Sequence, residues 1–201
     1  MPAIKKVSRE DIIDAAVEVL REGGFSAVNA RSVAQKLGCS TQPIYFSFRN
    51  MSELKQALTD RATEMHKTRV RDSLRACEGI DTRYSSYGMG FVRFAAEEKQ
   101  LFRWLYIDGG HTSPYKSDVL YDEIVDVIVE DFGYDRETAE KFHRDMLYYS
   151  YGLAILANIG HLGLDDKELR MAFSREFRAL TSLYGKPPKS PEFAMKAGLT
   201  L

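Results

Sequence analysis

Apolar residues recur three and four positions apart through most of this 201-residue chain, and glycine or proline falls between the runs. That spacing is the inward face of an amphipathic helix; a sheet-dominated fold would need alternation at every second residue. The first run opens at Ser8, with Asp11 placed three residues on as a capping-box partner. Ile12, Ile13, Ala16, Val17 and Leu20 form its stripe, and Gly23-Gly24 stops it. Asn29 caps a second helix predicted over residues 30–37, which Gly38 ends. Ser40 caps a third predicted over residues 41–48. With that cap, Pro43 falls in the first turn, where backbone N–H groups have no helical partner. A fourth helix starts near Ser52 and runs toward Cys77.

Four further helical stretches follow at about 82–107, 115–132, 136–161 and 166–184, the first of them broken near Glu98. The run Val119 to Phe132 is apolar on most faces, which predicts deep burial, and Met146 to Ile159 is apolar nearly all round. From Gly185 the Lys-Pro-Pro-Lys-Ser-Pro tail cannot continue a helix and is predicted to be mobile. The fold class is therefore all-α. Residues 1–52 make a three-helix domain, 53–185 a second helical domain, and 186–201 a tail.

Composition narrows the function. The chain is 44% hydrophobic and 28% charged, as a globular protein is. No apolar run approaches the ~20 residues of a membrane helix, so no membrane association is expected. Met1 to Lys6 runs straight into a helical pattern without a secretory leader. Cys39 and Cys77 have neither metal-ligand spacing nor a disulfide framework, which suits a reducing cytoplasm. Residues 1–71 hold 12 Lys/Arg and 8 Asp/Glu, the rest 16 and 21, within a net charge of −1. A basic first third would suit a polyanion; swings of this size also arise by chance.

Two short helices joined by Gly38-Cys39-Ser40 have the shape of a helix-turn-helix. The second opens on short polar side chains that can reach base edges or phosphates. The residues Gly24-Phe25, Asn29 to Ala34, Gly38-Cys39-Ser40, Ile44 to Asn50 and Leu54 together resemble the DNA-binding domain of the TetR family of bacterial transcriptional regulators. The resemblance covers roughly residues 8–58. Beyond it, only a divergent helical ligand-binding and dimerisation domain corresponds. The resemblance implies a ligand-responsive repressor that binds a palindromic double-stranded DNA operator as a homodimer. It places Thr41 and Gln42 on bases or backbone, Tyr45 on a phosphate, Ser40 at the helix cap and Arg31 near a further phosphate. Met51 stands where the family usually carries a phosphate-binding lysine, a loss that Arg49 or Lys55 would cover, and Ser47 replaces a frequent histidine. That departure leaves room for a second reading, a co-regulator that keeps the fold but acts through a protein partner.

In the second domain Tyr84, Tyr87, Phe91 and Phe94 recur at helical spacing, and Trp104 follows as the only tryptophan. Such rings usually form core. The resemblance puts an effector pocket among these helices, lined by Tyr87, Phe91, Trp104, Tyr148 and Tyr151, for an unidentified small molecule. In the last helix Leu169, Phe173, Phe177 and Leu180 form one stripe, expected to pair with a second chain in a four-helix bundle. His66, His111, His143 and His161 show no metal-binding or acid–base spacing, and no glycine-rich phosphate loop occurs. No catalytic residue, metal or cofactor is expected.

Overall fold

The computed structural model describes residues 7–75, 82–108, 120–163 and 165–189. In chain order these form α1 (Arg9–Gly23), α2 (Ala30–Leu37), α3 (Gln42–Ser47), α4 (Met51–Arg75), α5 (Arg83–Glu97), α6 (Lys99–Arg103), α7 (Tyr121–Phe132), α8 (Arg136–Asn158) and α9 (Asp166–Tyr184). A 3-10 turn, Phe25–Ala27, follows α1, and a π-helical turn, Trp104–Asp108, continues α6. No strand occurs among the described residues. Cys77, His111 and residues 115–119 lie outside them. The described residues within Met1–Met65 and Glu98–His111 make one compact unit; those within His66–Glu97 and Thr112–Leu201 make another.

In the first unit, local chemistry sets most helix ends. Ser8 and Asp11 form the expected reciprocal capping box at the start of α1. The Asn29 side chain accepts from the N–H groups of Arg31 and Ser32, both at 3.0 Å. Gly38 ends α2 at φ 67°, ψ 32°, a left-handed conformation that a side chain would strain. Ser40 does not cap α3. The helix starts one residue later, with Thr41 at the cap and no side-chain capping bond. Pro43 removes one of the two N–H groups that a serine cap at position 40 could bond, leaving that of Gln42. Ile12, Leu20, Val33, Ile44, Phe48, Leu54, Leu58, Leu101 and Phe102 close the core of this unit.

The break predicted near Glu98 is present, and it sends α6 back onto α1. The Arg21 guanidinium donates to both Glu98 carboxylate oxygens, at 2.7 and 3.0 Å. The Trp104 indole N–H donates to Thr59 Oγ1 at 2.9 Å, and its ring lies 5.1 Å from that of Phe25.

The second unit packs α5 against α7, α8 and α9. α7 is less buried than its sequence promised. Ile124, Val125, Ile128 and Phe132 are fully covered, but Asp122, Glu123, Asp126 and Glu130 face water, so only one side of the helix is core. α8 is likewise two-sided: Met146, Leu147, Ser150, Ala154 and Ala157 point inward, while Tyr148, Ile155, Leu156 and Ile159 remain exposed. The tail is held as far as Lys189 rather than mobile from Gly185. Lys189 donates its backbone N–H to Phe132 O and its ammonium to Glu130 O, both at 2.9 Å. Those carbonyls belong to the last turn of α7, where acceptors lack helical partners and a cation suits the dipole. No described helix is long and apolar enough to cross a membrane.

Candidate nucleic-acid interface

α3 is six residues long and is held by its buried side. Ile44 and Phe48, four apart, are covered by the core of the first unit. The opposite side carries Gln42, Tyr45 and Phe46, all exposed. Tyr45 is 56% open and Phe46 93%. Phe46 was not among the residues expected from the sequence, although its spacing shows it: it lies four residues after Gln42 and off the Ile44–Phe48 side.

Arg9 also escaped the sequence reading. Its guanidinium donates to Ser47 O at 2.7 Å and lies 4.0 Å above the centre of the Phe48 ring. It thereby satisfies a carbonyl at the C-terminal end of α3 and ties that end to α1. Arg9 also reaches Glu53 at 3.3 Å in the first turn of α4. The second oxygen of Glu53 accepts from the Arg49 backbone N–H at 2.9 Å. That bond chiefly, with help from Arg9, holds the Glu53 carboxyl below the usual range. Asn50 accepts from the Glu53 N–H at 3.0 Å. The two ends of the turn between α3 and α4 are therefore fastened by charge-assisted bonds.

The other expected contact residues divide into two groups. Arg31, Ser40, Gln42, Tyr45 and Arg49 are exposed, and Thr41 is half-buried at the start of α3. Lys55 is placed differently: its ammonium lies 4.5 Å from the centre of the Phe25 ring, a cation–π contact that occupies it inside the unit. Lys36 is paired with Glu22 at 2.5 Å, which raises its pKa. Cys39 is a half-buried free thiol in the turn between α2 and α3.

This geometry sits within a sequence match. Residues 12–58 fit the model of the bacterial regulatory proteins of the tetR family. Residues 12–58 are thus similar to the tetR-type DNA-binding domain. Tetracycline repressor protein class D of Escherichia coli is 40% identical over 53 residues, which are 26% of this chain and 24% of that protein. The chain thus aligns with about a quarter of the length of that curated relative. Among solved structures, a protein of unknown function from Rhodococcus sp. RHA1 has a TM-score of 0.70 at 19% identity, covering 89% of this chain and 98% of its own. A TetR-family member from Streptomyces coelicolor A3 has a TM-score of 0.62 at 15% identity, covering 84% and 96%. These two likenesses extend the shared fold through the second unit.

The residues expected to line an effector pocket are not all in one unit. Trp104 belongs to the first, against Phe25 and Thr59. Tyr148 is 56% exposed. The remaining three are buried or half-buried in the second unit. The Phe91 and Tyr151 rings are 5.1 Å apart, and Tyr87 is 5.8 Å from the His143 ring. His143 is buried, with Nδ1 3.0 Å from the Tyr84 hydroxyl. Nor does the stripe Leu169, Phe173, Phe177, Leu180 face outward. Leu169, Phe173 and Leu180 are buried within the chain, and Phe177 packs its ring 5.0 Å from Phe132 and 5.2 Å from Phe142. The second unit already uses that stripe for its own core.

Proposed function

We propose that this chain is a TetR-family, DNA-binding transcriptional regulator, acting as a homodimer on a palindromic operator and as a repressor released by a small effector. The observation that carries the DNA reading is α3: a short helix within the matched residues, anchored by Ile44 and Phe48, with Gln42, Tyr45 and Phe46 turned to water. In this reading Gln42 pairs with a base edge. Tyr45, Arg31, Arg49 and the Ser40–Thr41 backbone meet phosphates and set the docking register. Lys55 contributes little to phosphate binding, because Phe25 holds its ammonium. The protein is non-enzymatic and works in the cytoplasm.

The dimer would form through the exposed side of α8 rather than through the α9 stripe. Tyr148, Ile155 and Ile159 recur at helical spacing, with Leu156 beside them, and Met171 and Leu183 of α9 are also exposed. Apolar area of this kind is what a stable homodimer covers. Two recognition helices in such a dimer would read half-sites about 34–36 Å apart, or a multiple of that. The effector would be apolar or aromatic and bind among Tyr87, Phe91 and Tyr151, where the Tyr84 and His143 polar atoms could fix its orientation.

DNA selected from a randomised duplex library by the full chain tests the reading. Tyr45→Phe should weaken binding on all selected and unselected sequences alike, since a phosphate contact carries no base information. Gln42→Ala should relax preference at one base pair per half-site, worth about 1–3 kcal/mol. Selection of no preferred sequence at low salt would defeat it. For the dimer, Ile155→Glu should convert the particle seen by light scattering to one of monomer mass; a wild-type chain that is already monomeric at micromolar concentration would refute the assembly.

A further inference from the structure

Phe46 is the most exposed large apolar residue among the described residues, at 93%. Nothing in the fold of the first unit needs it there, because Ile44 and Phe48 already supply the buried side of α3. A lone apolar residue on a surface is ordinary. This one differs by its neighbours. It follows Gln42 by four residues, which puts the two side chains next to each other on one side of the helix. Tyr45 adjoins both. A polar group able to pair with a base edge, a phenol and an unsupported phenyl ring are therefore presented together.

The major groove has one apolar feature that distinguishes a base, the 5-methyl group of thymine. A phenyl ring can contact that methyl but has no hydrogen bond to offer any base or phosphate. Gln42, by contrast, matches the N6 and N7 pattern of adenine. We propose that Phe46 is a specificity-determining residue that packs on the methyl group of a thymine within one or two base pairs of the base read by Gln42. The assignment rests on the DNA-binding reading above and adds to it an A/T-rich core in each half-site.

The test uses the full chain and the half-site recovered from a randomised duplex library. Each thymine of that half-site is replaced in turn by deoxyuridine, which deletes the methyl and keeps base pairing. Wild type should lose about fourfold in affinity at one thymine per half-site, the value of uncovering a single methyl group. Phe46→Ala should bind the thymine and deoxyuridine duplexes equally at that position, while staying sensitive to changes at the base read by Gln42. Phe46→Leu, which keeps an apolar side chain, should retain part of the discrimination and guards against a folding artefact in the alanine variant. Indifference of wild type to every thymine methyl overturns the assignment. So does undiminished discrimination by Phe46→Ala, and in both cases the DNA-binding reading survives. Recovery of no preferred duplex overturns both.

Discussion

At the scale of single residues, the candidate interface is held by groups that never need to touch DNA. Arg9 bonds the last carbonyl of α3, and Glu53 bonds the backbone of Arg49. Glu53 has its pKa lowered first by that backbone N–H and then by Arg9. A carboxylate with a depressed folded pKa contributes stability above its unfolded pKa, and the contribution is lost as pH falls through the folded value. Glu53→Gln should therefore flatten the acid side of the stability profile, with little change near neutrality in the slope of stability against pH. Urea melts of both proteins at a series of acidic pH values would decide this; parallel acid limbs would mean that the Glu53 bonds do not persist in solution. The sequence held the parts of this clamp but not their meeting. Arg9 and Ser47 are 38 residues apart, and helical periodicity says nothing about contacts at that separation. Phe46 was legible, by contrast, since its spacing from Gln42 and from the Ile44–Phe48 pair follows from the helix period alone.

At the scale of elements, caps and glycine stops were readable because they act within three or four residues. Ser8, Asn29 and Gly38 end their helices as their local chemistry requires. Ser40 does not cap as expected, and Thr41, which takes its place, makes no side-chain capping bond either. The glycines inside α5 had no visible reason in the sequence, and packing supplies one. A Cβ at Gly88 would come within 2.8 Å of the Phe173 ring of α9, and one at Gly90 within 3.0 Å of Ser73 Cβ in α4. Both glycines let another helix approach closely, which offsets the ~1 kcal/mol that glycine costs in a helix interior. Gly88→Ala should destabilise the chain by about 1–3 kcal/mol, because the buried Phe173 ring must shift within a packed core. Thermal denaturation measures it, and an unchanged or raised midpoint would show that Phe173 can move freely. The same packing explains the α9 stripe. Leu169, Phe173 and Leu180 look like interface residues in a list of apolar positions, but they are buried within the chain, where α9 packs on α5 and α8.

At the scale of the whole molecule, the two units assign Trp104 a different role from the one its sequence neighbours suggested. It follows the aromatic run of α5, yet it belongs to the unit that carries α3, because the chain breaks at Glu98 and Arg21 holds that residue against α1. Its indole N–H is bonded to Thr59 and its ring lies beside Phe25, whose other neighbour is the Lys55 ammonium. Trp104 emission therefore reports the surroundings of Phe25 and Thr59. An effector that acts on the DNA-reading unit should alter that emission. Binding should thus be visible by calorimetry, and the change in Trp104 emission should follow the same saturation curve if the effector acts on the DNA-reading unit. Linkage adds a quantitative condition: saturating operator must weaken effector affinity by the same factor that effector weakens operator affinity. Thr59→Val removes the indole's partner at nearly constant volume. It should shift the emission of the free protein and leave calorimetric effector affinity within about twofold, because Thr59 is not among the residues proposed to hold the effector. An effector that weakens operator binding while Trp104 emission stays constant would show that the switch bypasses the corner formed by Phe25, Thr59 and Trp104.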